Sequence, residues 1–218
     1  KELIKALPDT DPMLWEAWQR ATRLAEATSH FLRLSGRYPL TGAGDVNTYQ
    51  VFAETALAHA RPGGWFGIIT PTGLVSDKTT APFIRRLLGE RLLRAFHEFG
   101  NEKKIFAAVK DYIRFAVTVA QMDSTGGQVD FSMRSKSVSE ARASRFSLTA
   151  EEVMLLNPNT GTLPVLRSRR DAEITIGIYR RHPVLIREGE QHGNQWELSL
   201  KRMFDMATDS RLFYTAER

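Results

Sequence analysis

The sequence contains no cysteine. That excludes disulfides, thiolate metal sites and cysteine nucleophiles, and it fits a reducing compartment, so a cytoplasmic location is expected. No apolar run approaches the roughly 20 residues a membrane helix requires, and no membrane partner is expected. No signal-peptide pattern is visible. The chain opens on the amphipathic stretch KELIKALPD and not on Met, which reads as a cut inside a longer protein. Catalytic constellations are equally scarce. There is no acid pair, no Ser/His/Asp set and no metal-spaced histidine cluster. The five histidines lie scattered at 30, 59, 97, 182 and 192, and each reads as structural. A glycine-rich phosphate loop is missing as well. Gly42-Ala43-Gly44 follows a helical segment, whereas a dinucleotide fingerprint follows a strand. Internal repeats and long low-complexity tracts are also absent.

What is present is ordinary globular material. With 218 residues, 42% hydrophobic and 25% charged, the chain suffices for one good-sized domain, or one domain plus an appendage. The formal net charge of +5 is compatible with a polyanionic partner and equally with a solvated basic surface.

Asp11-Pro12 is a helix start, an N-cap carboxylate before a proline at the first helical position. Apolar residues then recur at helical spacing through Leu14, Trp15, Trp18, Ala21, Leu24, Ala25, Phe31 and Leu32, to an end near Ser35-Gly36. A loop over 36–45 precedes a second helix over 46–60, which Pro62-Gly63-Gly64 terminates. The continuous apolar run 65–69 predicts a buried central strand. It closes at Thr70-Pro71-Thr72-Gly73, where Gly73 is expected to supply an unusual backbone angle. A helix over 79–88 follows, then strands over 92–99 and 112–120, the second alternating Ile113, Phe115, Val117 and Val119 against Arg114, Ala116, Thr118 and Ala120. A helix between two strands predicts a parallel crossover unit, and the helix-free connection to the third strand predicts an antiparallel partner at the sheet edge.

After Met122 the character changes. A turn at 123–127 and a short strand over 128–133 lead into a polar Ser/Arg-rich stretch, 134–145, with no evident core face. Thr149 to Glu152 is a capping box opening a short helix through Leu156. Residues 169–181 read as another helix, with Ile174 and Ile178 inward. A loop over 191–194 and a mixed segment over 196–206 follow.

Several runs resemble adenine-N6 DNA methyltransferases. DVNTYQVFAETALAHARPGGWFGIITPTGLVSD is similar to the segment after their catalytic motif, a helix leading through a Gly-Gly turn into a strand. NEKKIFAAVKDYIRFAVTVAQ resembles their next element, a loop bearing an aromatic followed by an alternating strand. LTAEEVMLLNPNTGTLPVLRSRRDAEITIGIYRRHPVL and KRMFDMATDSRLFYTAER resemble the region beyond the catalytic domain in large single-chain restriction-modification methylases of the Eco57I-like type. The resemblance implies an α/β fold: the distal half of a Rossmann-like methyltransferase sheet over 1–122, parallel with one antiparallel edge strand. A smaller α+β segment, the start of a target-recognition or linking region, then fills 123–218.

In that family the sheet holds S-adenosylmethionine and takes a flipped adenine. The cofactor turn and the catalytic Asn/Asp-Pro-Pro-Tyr/Phe tetrapeptide are both absent here, and Asn157-Pro158-Asn159-Thr160 lacks the second proline and the aromatic. The resemblance therefore implies a piece inactive by itself, with the methyl donor bound in the parent protein and not by this chain. Double-stranded DNA and the rest of the parent methylase chain are the implied partners, with a homodimer through the exposed sheet edge. Phe106 matches the family's base-packing aromatic, with an ordinary core phenylalanine as the alternative. Thr70 and Pro71, at the end of the preceding strand, are candidates to line the same pocket. Lys103 and Lys104 in the Phe106 loop, and the cluster Arg167, Arg169 and Arg170, are candidates for phosphate contact. Solvated lysines and intramolecular carboxylate partners are the alternatives. A non-catalytic DNA-binding or specificity module is the alternative reading of the whole chain.

Overall fold

In the computed structural model, which describes residues 2–213, contacts divide the chain into two compact units, Lys1–His182 and Pro183–Arg218. This boundary lies well beyond Met122, because the strands on either side of 123 belong to one sheet.

The first unit begins with α1 (Glu2–Thr10) and α2 (Pro12–Leu34). Asp11 caps α2, its carboxylate accepting from the Leu14 amide at 3.0 Å, with proline at the helix start. The apolar stripe read along α2 meets no core. None of its residues is buried, and Trp15 and Trp18 stack on each other with ring centroids 5.0 Å apart. Helix α3 (Thr48–His59) starts in a capping box of Asn47 and Gln50. From within it, the buried Glu54 carboxylate accepts from the amides of Leu40 (3.1 Å) and Thr41 (2.9 Å) and from the Thr41 hydroxyl (2.6 Å), which ties the preceding loop to the core.

The remaining elements of this unit are β1 (Trp65–Pro71), α4 (Gly73–Ser76), a 3-10 turn (Lys78–Thr80), α5 (Ala81–Gly89), β2 (Leu93–Gly100), β3 (Arg114–Gln121), β4 (Val129–Ser135), α6 (Val138–Ala143), β5 (Phe146–Leu148), α7 (Ala150–Leu156) and α8 (Arg169–Arg181). The strands form one five-stranded sheet in the order β1-β3-β2-β4-β5. This corrects two expectations. The reversed strand β3 is not at the edge: it lies between β1 and β2 and pairs antiparallel with both. The helix-free β2–β3 connection forces the reversal, and β1 then pairs on the other side of β3, so among the described residues the only parallel pair is β2 with β4. Conversely β1, expected to be central, is an edge strand, with Trp65 and Ile69 exposed at 64% and 56%.

The registers Phe66↔Ala120, Thr70↔Ala116 and Phe96↔Thr118 define one sheet face. There the core sits: Phe66 meets Phe83 of α5 edge-on, and Phe96 meets Phe131. In β3 the small residues are the deeply buried ones, Ala116 at 1% and Thr118 and Ala120 at 0%. A helical layer approaches closest over small side chains. Val117 and Val119, on the opposite face, are only half-buried, and Ile69 (the register partner of Val117) is exposed.

The polar stretch 134–145 does have an inward residue, Ala141 of α6, which packs with Phe99 and Phe115. Thr149 and Glu152 form the expected capping box of α7. In α8 the inward residues are Ala172 and Ile176, with Ile174 and Ile178 about half exposed, so the stripe is displaced by two positions. Packing decides the face, since α8 lies against α7, while Ser168 caps the helix by accepting from the Asp171 amide. Gly73 is not in the left-handed region. Space favours glycine there: a Cβ would lie 2.7 Å from the Tyr49 hydroxyl and 2.5 Å from an Asp77 carboxylate oxygen.

The second unit holds no helix or strand beyond a 3-10 turn at Ser210–Leu212 among the described residues. Within it Phe204 meets Phe213 edge-on. The end of the KRMFDMATDSRLFYTAER run, 214–218, lies outside the described residues. Among the described residues no helix is long and apolar enough to cross a membrane.

Candidate nucleic-acid interface

Strand β2 ends at Gly100, and the chain then makes a loop over 101–113 before β3. Asn101 is fully buried and is the organising residue of that loop. Its Oδ1 accepts from the Phe106 amide at 2.9 Å, while Nδ2 donates to the carbonyls of Phe106 (3.0 Å) and Val109 (2.8 Å). One side chain thus replaces the backbone ladder that an irregular loop lacks. Lys104, at φ +53°, turns the chain and donates its amide to the Asn101 carbonyl.

Phe106 is held out at 39% exposure. Its ring meets Phe115 edge-on at 4.8 Å, and Phe115 stacks on Phe99 at 5.5 Å. The ring is therefore supported by a neighbouring aromatic while part of the residue remains open to solvent, and it stands beyond the carboxyl end of β2. An ordinary core phenylalanine would be enclosed. Ile105, Tyr112 and Ile113 around it are exposed as well.

The structure brings Pro71 to this neighbourhood through β3, since Pro71 is the register partner of Phe115, and Pro71 is exposed. Thr70 points the other way and is buried, its hydroxyl without a hydrogen-bond partner. Lys103 approaches Glu140 at 3.4 Å. The amide of Lys136 and then the Lys103 ammonium hold the Glu140 carboxyl below its usual pKa. Lys104 is exposed. The arginine cluster is placed apart from this loop, around the start of α8. Arg169 pairs with Glu173 at 3.1 Å and donates to the Ser147 carbonyl, and Arg170 reaches Glu173 at 3.8 Å, which are intramolecular carboxylate partners. Arg167 is exposed, its amide donating to Asp171.

Sequence reasoning missed a second group at the same end of the sheet, on the core-side face. Glu98, 7% exposed, accepts from Arg114 at 3.0 Å and from the Arg134 amide at 3.2 Å. These residues, with Thr72 and Ser76, rim a cavity of about 390 Å³ whose floor is Phe96, Met133 and Leu163. The only sequence signal was a carboxylate at an inward position of a strand. Asn101 left even less, since asparagine after glycine at a strand end reads simply as a turn. Nearby on β2, His97 lies 2.9 Å from the Ser132 hydroxyl. Burial, and secondarily the Arg145 charge, lowers its pKa, with Asp130 opposing. Among the described residues no cluster of acids and histidines suited to a metal ion occurs.

The sequence matches no described protein family and no curated protein. Among solved structures, the methyltransferase subunit of a type I restriction-modification system from Streptococcus thermophilus aligns with 69% of this chain and 28% of its own, at 13% identity and a TM-score of 0.37. The type IIG restriction endonuclease BpuSI aligns with 71% of this chain and 18% of its own, at 14% identity and a TM-score of 0.39. The chain thus spans less than a third of the length of either. At such values a shared fold does not follow from the alignment.

Proposed function

We propose that this chain is the distal part of an S-adenosylmethionine-dependent DNA adenine-N6 methyltransferase of a restriction-modification system, and that its own contribution is to receive a base extruded from DNA. The observation that carries the reading is the presentation of Phe106. A fully buried asparagine holds the loop, a second aromatic supports the ring, and part of the ring stays open beyond a strand end. Reaction at an exocyclic amine requires the base to leave the stack, and an aromatic platform offsets the unstacking cost by about 1–3 kcal/mol per base. On this reading Pro71 and Thr70 shape the adjoining strand end, and Lys103 and Lys104 meet flanking phosphates. Arg167, Arg169 and Arg170 form a more distant contact, for which Arg169 and Arg170 must leave Glu173.

The residues present do not fit the methyl donor. Neither β1, β2 nor β4 opens at its carboxyl end into a glycine-rich turn with left-handed glycines ahead of a helix. Donor binding and catalysis fall to the rest of the parent chain. The half-buried Val117–Val119 face and the open β1 edge are where that chain packs, or where a second copy pairs in its absence.

The test is a pair of titrations on the purified chain, S-adenosylmethionine by calorimetry and a labelled DNA duplex by fluorescence anisotropy over a range of salt. The expected result is duplex binding with a steep salt slope and no donor binding. Phe106→Ala is expected to weaken a duplex carrying a mismatched adenine by about 5- to 150-fold, the equivalent of one lost stack. Donor binding by this chain would contradict the missing-pocket reading. Salt-sensitive binding indifferent to Phe106 would favour a DNA-binding module without base capture.

A further inference from the structure

We infer that the cavity between the ends of β1, β2 and β4 is a binding site for a nucleoside 5′-phosphate, free or within a single strand of DNA. The phosphate lies on Arg114 and Arg134, and the base lies against Phe96 and Met133. The inference rests on the DNA reading above for the source of the nucleotide, but not for the chemistry of the site.

Three observations converge. First, the cavity lies where β1, β2 and β4, which run in the same direction, present their carboxyl ends, the end at which open α/β sheets bind ligands. Its volume of about 390 Å³ is that of a small-ligand site, with an apolar floor and a polar rim. Second, the residues lining the cavity include two arginines, Arg114 and Arg134, and one carboxylate, Glu98. Glu98 accepts from Arg114 at 3.0 Å, so these two charges offset each other. Among the described residues the Arg134 guanidinium has no hydrogen-bond or ion-pair partner, so the residues lining the cavity carry one positive charge that no carboxylate offsets. Planar guanidinium forks match phosphate oxygens bidentately. Third, Arg134 is held at φ +56°, a conformation uncommon for any residue but glycine and asparagine. Its amide is fixed to Glu98 Oε2 at 3.2 Å. A buried carboxylate that anchors both arginines, one through its side chain and one through a strained backbone, is a built arrangement. An anion alone would not need the apolar floor, and an apolar ligand would not need the arginines. A nucleotide uses both.

The test is calorimetric titration of the full chain with deoxyadenosine 5′-monophosphate, a single-stranded adenine tetranucleotide, deoxyadenosine and inorganic phosphate. Arg134→Asn is the central variant, because asparagine tolerates the left-handed backbone and keeps the backbone N–H hydrogen bond to Glu98. Arg134→Gly, equally free to adopt that φ, must behave alike, and Arg23→Gln, on α2 and outside the lining of the cavity, serves as a charge control. The expected result is binding of the monophosphate and tetranucleotide, with deoxyadenosine and phosphate at least tenfold weaker. Arg134→Asn then weakens both nucleotides tenfold or more at unchanged melting temperature, and Arg23→Gln does not. Binding of the monophosphate alone supports the site and assigns it to free nucleotide. The inference is overturned if Arg134→Asn binds as the native chain does, or if phosphate binds as tightly as the nucleotide. It is also overturned if the native chain binds neither nucleotide. In the first and last cases duplex anisotropy still reports separately on the DNA reading.

Discussion

The Asn101 side chain grips Phe106 at both ends of its residue, Oδ1 accepting its N–H at 2.9 Å and Nδ2 donating to its C=O at 3.0 Å. Such a bridge fixes the direction of the Cα–Cβ bond between the two backbone groups, and hence where the ring can point. The loop that presents an aromatic to solvent is therefore held from inside.

Asn101→Ala removes this bridge and the donor to the Val109 carbonyl. A cost of about 1–3 kcal/mol in denaturant unfolding is expected, the range for buried polar groups left unpaired. Asn101→Asp keeps the shape but turns an acceptor toward the carbonyls of Phe106 and Val109, so it is expected to be at least as destabilising. An aspartate variant as stable as the native chain would show that these donors contribute nothing.

Glu54 plays a similar part for the loop ahead of α3. Its carboxylate accepts from two amides and a hydroxyl while 6% exposed. Glu54→Ala is expected to cost about 1.5–3 kcal/mol per charge-assisted bond lost at the upper limit. It should also speed hydrogen exchange at the Leu40 and Thr41 amides. Unchanged protection there would remove the carboxylate from the account of this loop.

Protonation of His97 should cost stability on the acid side. Burial lowers its folded-state pKa below the ordinary value, so the unfolded chain binds the proton more readily. The histidine contribution is fully present above the unfolded pKa of about 6.5 and is lost as pH falls through the lower folded value. Urea midpoints measured from pH 8 to pH 5 should fall less steeply for His97→Gln than for the native chain. Parallel curves would assign the acid sensitivity to other groups.

The β1 edge is expected to associate. Trp65 and Ile69 are exposed on a strand with one unpaired side, and flat apolar edges invite pairing. Light scattering should show a mass that rises with concentration for the native chain and falls toward the monomer for Ile69→Lys. A native monomer at high concentration would end the expectation of pairing through this edge.

Local signals read correctly where the chain decides structure by itself. Asp11-Pro12 and the Thr149–Glu152 box each start a helix, because caps satisfy orphan amides within four residues of sequence. The strands likewise follow their alternation. The faces do not. In β3 the sequence offers a large apolar face and a small mixed one, and the helices cover the small one. In α8, packed against α7, the buried stripe falls on Ala172 and Ile176 and not on Ile174 and Ile178.

The sequence by itself determined the type and order of the longer elements, α2 to β4 and then α7 and α8, because hydrogen-bond periodicity and capping are local, whereas the short α4, α6 and β5 left no such signal. Only the tertiary structure decided that β3 lies between β1 and β2, that β1 is an edge, and that Glu98 and Asn101 are buried. Strand pairing joins residues far apart in sequence. A buried carboxylate or amide is tolerated only where partners from other segments meet it, here Arg114 and Arg134 for Glu98 and the Phe106 loop for Asn101.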